Sequence, residues 1–482
     1  MAIKVFLREG PQRAIALSTE THVLIFRHNP SSLSLRTSTS NQSFADGSPP
    51  KCIVEFSPWG DEGLDMSDYR TLPSLDIKGT LGLITINGDI FLCVVTDSKK
   101  AATVRPGENV QQIRNVEFHC LSSGDYDHLL NTQVNPFPND NADPDGYDGS
   151  MNKDALFEHP CMALKKLLSG GSFYYSNDFD LTKRLQDRPT DSTTVAIDSL
   201  DAGFLWNTHM IQPLVEFRSR LSDREKTALD QSGILTSAMR GFAATVNVPA
   251  SSSPLRYKDI GMPSTMTLIS RLSCRRAGTR FNARGIDDDG NVANFVETET
   301  IFCTDQLCFS YVQCRGSVPL FWEQQAGLPT QQKIQITRSE EATKPAFDKH
   351  FEGLVKAYGD VYVLDLLSDE KPQEAQLIRL YESQVKNSSL NQRSEEGAET
   401  AEHNHLKSLT YDFHSETRGA GYDAARGIRR YILDSAMSFE YFLTEDTVEK
   451  VVENGRKHSI YGQNEISTFR LLSVEQAIAM LM

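Results

Sequence analysis

Asn87-Gly88-Asp89 sits between two short apolar runs, one entering from Gly82 and the other covering Ile90–Thr96. Asn and Gly at the join of two β-branched runs are a hairpin signal. The neighbouring sequence repeats the pattern. Ala14–Leu17, His22–Arg27, Cys52–Phe56 and Val116–Leu121 are short, β-branched or aromatic, and separated by turn residues. The N-terminal part of the chain therefore reads as a set of strands. Two stretches interrupt it. Residues 31–50 are rich in Ser and Thr and too polar to pack, so they read as an exposed insertion. Residues 135–154 combine Pro, Gly and Asn with five Asp. Their spacing is similar to that of a calcium loop, but the twelfth position from Asp140 is Met151 rather than Glu, so the stretch reads as an acidic loop.

The period then changes. Ala155–Leu168 places apolar residues three and four apart and stops at Gly170-Gly171. Leu200–Arg220 and Lys349–Ala357 also read as helices, and Val361–Leu367 as a short strand. Glu374–Val385 is amphipathic, with Leu377, Leu380, Tyr381 and Val385 on one side. Residues 387–405 form a polar loop, and Tyr422–Leu443 reads as a further helix. Strands first and alternating elements later predict an α+β chain: a β-rich N-terminal module over residues 1–190 and an α/β module over 191–470.

Composition narrows the function. With 39% apolar residues in 482, the chain has ample material for a core. Lys and Arg total 49 against 64 Asp and Glu, a net charge of −15. That field repels phosphate backbones and argues against general nucleic-acid binding. No window reaches the roughly 18 uninterrupted apolar residues of a spanning helix, and the N-terminus has no apolar signal region. Eight Cys with little paired spacing read as reduced thiols in a cytosolic protein.

Against this acidic background, residues 271–284 reverse the sign, with Arg271, Arg275, Arg276, Arg280 and Arg284. Arg presents planar, bidentate donors that match phosphate oxygens, and Gly278 and Gly285 allow close backbone approach. Two readings stay open: an anion site, or ion pairs with Asp287, Asp288, Asp289, Glu297 and Glu299. Cys274 and Arg280 also form Cys-x5-Arg, the spacing of a thiolate phosphatase loop, in which Arg clamps the phosphate that the thiolate attacks. A buried structural Cys is the competing reading.

Residues 279–299 (TRFNARGIDDDGNVANFVETE) and 310–324 (SYVQCRGSVPLFWEQ) make the pattern specific. With 78–96, 177–186, 203–216 and 409–432, they closely resemble the Sac phosphoinositide phosphatase domain, in its synaptojanin-like branch. The resemblance implies a β-rich subdomain followed by an α/β catalytic one. It implies metal-free, cofactor-free hydrolysis of inositol-ring phosphate monoesters on phosphatidylinositol phosphates. It also implies phosphoinositide lipids and an anionic membrane surface as partners, and a cytoplasmic protein peripheral on membranes. Arg275, Arg276, Arg280 and Arg284 are then candidates to face the lipid headgroup. His414 is a candidate proton-transfer group near the site, with a structural histidine as the alternative.

The family's nucleophile lies in a block of the form Arg-x-Asn-Cys-x-Asp-Cys-Leu-Asp-Arg-Thr, soon after a segment resembling residues 462–470. Here Arg470 is followed by residues 471–482, a divergent tail in which Ser473 and Gln476 make a capping-box pattern before an apolar helix. The last cysteine is Cys314. The resemblance places Cys274 upstream of the true loop, so no catalytic residue is assigned. The chain as written is expected to be inactive, as a truncated, frame-shifted or mis-spliced product. The alternative function is a non-catalytic phosphoinositide- or partner-binding module.

Overall fold

The structure, a computed structural model, describes residues 3–10, 12–29, 52–127, 159–188, 195–249, 264–279, 283–304, 307–324, 333–391, 405–419, 421–428, 430–431, 442–445, 447–453 and 456–462. The insertions at 31–50 and 135–154, the joint near residue 190 and the tail 471–482 lie at or outside the limits of these residues. By contact density the chain divides into two units, Met1–Thr245 and Val246–Met482.

In the first unit, β1 (Ile3–Arg8), β2 (Ala14–Ser18), β3 (His22–His28), β4 (Cys52–Pro58) and β5 (Arg70–Ile77) form an antiparallel sheet in the order β4-β3-β2-β1-β5. Next come β6 (Gly79–Ile86), β7 (Asp89–Thr103), β8 (Asn109–Cys120), helix α1 (Met162–Ser169) and β9 (Phe173–Tyr175). Helices α2 (Thr208–Ser219) and α3 (Asp223–Gln231) and strand β10 (Met239–Val248) follow. The hairpin signal at Asn87-Gly88 is realised: both residues have positive φ, 53° and 93°, and Ile86 pairs with Asp89.

The continuous apolar run of β7 has a cause. Leu92 and Val94 point into one core with Val5, Leu17, Phe26, Leu214 and Leu229. Phe91, Cys93 and Val95 point into another with Phe118, Phe173, Leu168 and Met210. A strand buried on both faces has no polar alternation to show. Helix α2 is held close to β6 at Gly82. A Cβ there would come within 2.1 Å of the Met210 carbonyl, and the φ of +113° suits Gly alone. Buried Asn207 locks the approach, donating to Leu81 O and Thr236 O and accepting from Ala238 N.

In the second unit, β11 (Ser264–Leu272), β12 (Val296–Cys303), β13 (Leu307–Arg315) and a later strand form an antiparallel array. A short hairpin of β14 (Trp322–Gln324) and β15 (Ile334–Ile336) leads into helix α4 (Glu340–Tyr358). Strand β16 (Val361–Asp365), helix α5 (Pro372–Asn387) and β17 (Leu406–Thr410) make a β-α-β unit, since β16 and β17 pair in parallel. Leu320, Trp322, Phe347, Phe351, Leu377, Tyr381 and Leu406 form its core. The short helix α6 (Phe413–Thr417) and strands β18 (Phe442–Glu445), β19 (Thr447–Glu453) and β20 (Arg456–Gly462) complete the described chain.

One expected helix, Tyr422–Leu443, differs at its two ends, and residues 432–441 lie outside the described residues. Tyr422–Ile428 is a 3₁₀ turn, Arg430 and Tyr431 are helical, and Phe442 and Leu443 belong to β18, paired with Ser310 and Phe309. Gly419 and Gly421 take positive φ and break the backbone before it. The apolar residues near 442 answer the edge of β13 rather than a helix face. Among the described residues, no helix is long and apolar enough to cross a membrane.

Each unit buries a histidine against ionisation. Burial lowers the pKa of His119 to about 4, with nearby Arg13, His159 and Lys165 adding to the effect. Burial lowers His350 to about 4 as well, although its Nδ1 bonds to Gly290 O at 2.9 Å. In the unfolded chain both protonate near the ordinary value of 6.5. Between pH 6.5 and 4 the unfolded state therefore binds more protons, and stability falls as pH falls. Urea midpoints should drop from pH 7 to pH 5, and His119→Phe should flatten the fall. A midpoint that holds or rises over that interval contradicts the assignment.

Candidate functional site

Strands β11 and β12 pair in a register that sets Arg271 opposite Glu297 and Ile269 opposite Glu299. Side chains two apart on a strand share a face, so both carboxylates meet one guanidinium. Arg271 Nη1 lies 2.9 Å from Glu297 Oε1, and Nη2 lies 2.7 Å from Glu299 Oε2. Arg271 and Glu299 are wholly buried, at 0% exposure. The oxygens that remain are served by hydroxyls: Ser310 donates to Glu299 at 2.7 Å and Tyr358 to Glu297 at 2.6 Å. Burial opposes the Arg271 charge, but the two carboxylates outweigh it and its pKa lies above the ordinary value. Burial, with Glu297 beside it, drives the Tyr358 phenol far up, which keeps its proton on the donating oxygen.

The loop from Ser273 to Phe295 hangs from this root. Ser273 N bonds to Phe295 O at 2.8 Å and closes its neck. Within it, Arg276 takes a positive φ of 49°, uncommon for a residue with a Cβ. Its Nη2 donates to Arg284 O at 2.7 Å. Arg284 in turn places Nε and Nη2 on Gln324 Oε1 at 3.1 and 2.8 Å, with its guanidinium over the Trp322 ring. Gly285 is required where the loop presses on β14: its φ is +67°, and a Cβ would sit 2.4 Å from Leu320 O. Arg275, by contrast, is exposed. Arg280 lies outside the described residues.

The acidic turn 287–290 faces elsewhere. Asp288 pairs with Arg338, and Asp289 Oδ1 lies 3.0 Å from Lys349 Nζ on α4. Asp287 accepts from the Asn291 and Asp289 backbone at 2.8 and 3.0 Å. These three acids are thus engaged by other groups, and among the described residues Glu297 and Glu299 pair with the Arg stretch, through Arg271.

A second set of polar residues lies where the parallel strands end. In open α/β sheets, ligands bind beyond the carboxyl ends of parallel strands. Here Asp365 closes β16, and Asp412 follows β17. Asp412 caps α6 through Ser415 N at 2.9 Å and accepts from Ser368 Oγ at 2.6 Å. Burial raises the pKa of Asp365, and Glu382 and Glu374 add to it. His414 is exposed on α6, its ring edge-on to Phe413.

The candidates thus fall into groups. Arg276 and Arg284 are brought together, each braced inside the loop. Arg275 is exposed beside them, Cys274 is half-buried in the same loop, and His414 sits at the other set. Ser310 and Tyr358 were missed by the sequence reading. The alternation of Glu297 and Glu299 along one strand was a usable signal for the pair. Nothing local marks Tyr358, which reaches the network only because α4 ends there.

The family model described as SacI homology domain matches residues 78–418. An inositol-1,4,5-trisphosphate 5-phosphatase 1 of Schizosaccharomyces pombe is 37% identical over 458 residues, covering 93% of this chain and 38% of that protein. A polyphosphatidylinositol phosphatase of Saccharomyces cerevisiae is 35% identical over 479 residues, covering 99% of this chain and 39% of its own. Human synaptojanin-2 is 37% identical over 229 residues, 46% of this chain and 14% of that protein. The chain therefore spans less than two thirds of the length of these relatives.

Removing one partner of a buried charge pair strands the other and costs about 3–5 kcal/mol. Arg271→Ala should lose that much in urea unfolding, whereas Arg275→Ala at the exposed position should stay within about 0.5 kcal/mol. Equal losses in both variants would contradict the division between root and surface.

Proposed function

Because this chain belongs to the SacI homology domain family, we propose that it is the headgroup-recognising part of a Sac-type phosphoinositide phosphatase. Its substrates are the phosphatidylinositol phosphates, and the bond cleaved in the intact enzyme is a phosphate monoester on the inositol ring. The observation that carries this reading is the family match over 78–418, which includes both the Arg-bearing loop and the β-α-β unit. In this reading residues 1–190 are the β-rich subdomain and 191–470 the catalytic one.

The loop supports a surface role for some of its cations and a bracing role for others. Arg276 and Arg284 hold the loop's shape through Arg284 O and Gln324. Arg275 reaches solvent, and Arg280 follows in sequence. Those two are the proposed contacts with phosphate oxygens on an anionic membrane surface, to which the protein binds peripherally from the cytoplasm. His414, beyond the end of β17, is proposed to exchange a proton near the same headgroup. A Sac enzyme needs a thiolate nucleophile and an Arg clamp six residues on. The 482 residues hold one Cys-x5-Arg, at Cys274 and Arg280, and the resemblance sets it upstream of the family's nucleophile block. On that ground the second reading is a module that binds phosphoinositide without turning it over.

The experiment has two arms. Phosphate release from phosphoinositides by this chain should be at background, and Cys274→Ser should change nothing. Turnover abolished by that substitution would make Cys274 the nucleophile. Binding to vesicles containing phosphatidylinositol phosphates should weaken as salt rises, since the Debye length shrinks. Arg275→Ala and Arg280→Ala should each weaken it about fivefold, the equivalent of about 1 kcal/mol per basic side chain at such a surface. Arg276→Ala should instead lower the melting temperature. Unchanged vesicle binding in the Arg275 and Arg280 variants would refute the surface role.

A further inference from the structure

Strand β12 ends at Cys303, and its partner across the hairpin is Cys308 on β13. Their sulfurs lie 3.0 Å apart, and both residues are buried. The turn between them explains the closeness. Thr304 N donates to Leu307 O at 2.8 Å, and Thr304 Oγ1 accepts from Leu307 N at 3.0 Å. The backbone bond thus belongs to the 304/307 position. Antiparallel pairing alternates, so the next pair, Cys303 and Cys308, occupies a non-hydrogen-bonded site. There the Cα atoms are closest, about 4.5 Å apart, within the span a disulfide bridges.

We propose that Cys303 and Cys308 are a reversible redox site, closed by a small disulfide of the glutathione type. One cysteine, as its thiolate, attacks a sulfur of the oxidant and releases one equivalent of glutathione. The second thiolate attacks the protein sulfur of that mixed disulfide and releases another. One S–S bond of the oxidant is lost and one is formed in the protein. The two thiol protons end on the two glutathione molecules, which are reduced as the cysteines are oxidised. Both sulfurs are buried, so the hairpin end must open for the first attack, and the rate follows that opening. The bond staples the two strands that carry Glu297, Glu299 and Ser310 around Arg271. Exposed Cys314, at the far end of β13, faces Glu297 across the pair and has no cysteine in register. It is the internal control for reagent access.

The test treats the full chain with oxidised glutathione and follows intact mass and cross-linked peptides. The expected result is loss of two hydrogens beyond any adduct on Cys314, a link between Cys303 and Cys308, and reversal by a dithiol. The melting midpoint of the oxidised form should rise by about 5 °C, as closing a short loop restrains the unfolded chain. Cys303→Ser and Cys308→Ser should each abolish the link. Should serine at either buried position unfold the chain, the alanine variants give the same readout. Saturated glutathione addition at Cys314 with both Cys303 and Cys308 still free, or a link joining a different pair, would overturn the proposal.

Discussion

A guanidinium taken wholly out of water must find its countercharge in the protein, and Arg271 finds two. That requirement organises the sheet around it. Glu297 and Glu299 reach Arg271 only if β12 lies beside β11 in the observed register, because a slip of one residue would turn both carboxylates to the other face. Two carboxylates on one cation leave an excess negative charge, and Ser310 from β13 and Tyr358 from the end of α4 supply the hydroxyl donors that satisfy it. Four elements are thus tied at one point, at the foot of the loop that carries the other cations.

The loop then divides its arginines by what lies within reach. Arg276 spends its guanidinium on Arg284 O, and Arg284 spends its own on Gln324 and the face of Trp322. A run of like charges is stable here because its four described members turn in different directions: Arg271 inward, Arg276 and Arg284 onto the loop's own frame, and Arg275 to solvent. Of the acids expected to neutralise the run, Glu297 and Glu299 do so at Arg271, while Asp288 and Asp289 hold Arg338 and Lys349, anchoring the acidic turn on the α4 side. In the proposed reading, the cation left facing solvent among the described residues of the run, Arg275, is the one that meets phosphorylated lipid.

How much of this was legible in the sequence depended on whether the determinant was local. The Asn87-Gly88 turn, the strands at 14–18, 22–28 and 52–58, and the amphipathic α5 follow from nearest-neighbour chemistry, and the structure has them. Strands β1 and β5 were not anticipated: Arg70–Ile77 contains a proline, whereas Ile3–Arg8, with buried Ile3, Val5 and Leu7 on one face, carried a legible strand pattern that was passed over. The helix expected over Tyr422–Leu443 differs at its two ends, where Tyr422–Ile428 is a 3₁₀ turn and the edge of β13, more than a hundred residues earlier, claims Phe442 and Leu443. The Arg cluster was visible from composition, but its division was not. Only the fold shows that residues 271 and 297 share a pair position while Asp287 to Asp289 turn away.

Hydrogen–deuterium exchange with and without lipid tests the central claim most directly. The chain is incubated with vesicles bearing phosphatidylinositol phosphates and, separately, with vesicles of neutral lipid alone. The account predicts slowed exchange over residues 273–285 and 411–419 with phosphoinositide vesicles only, while β11 and β12 on either side of the loop stay as protected as before. Slowed exchange confined to the first unit, or equal slowing on neutral vesicles, would contradict it.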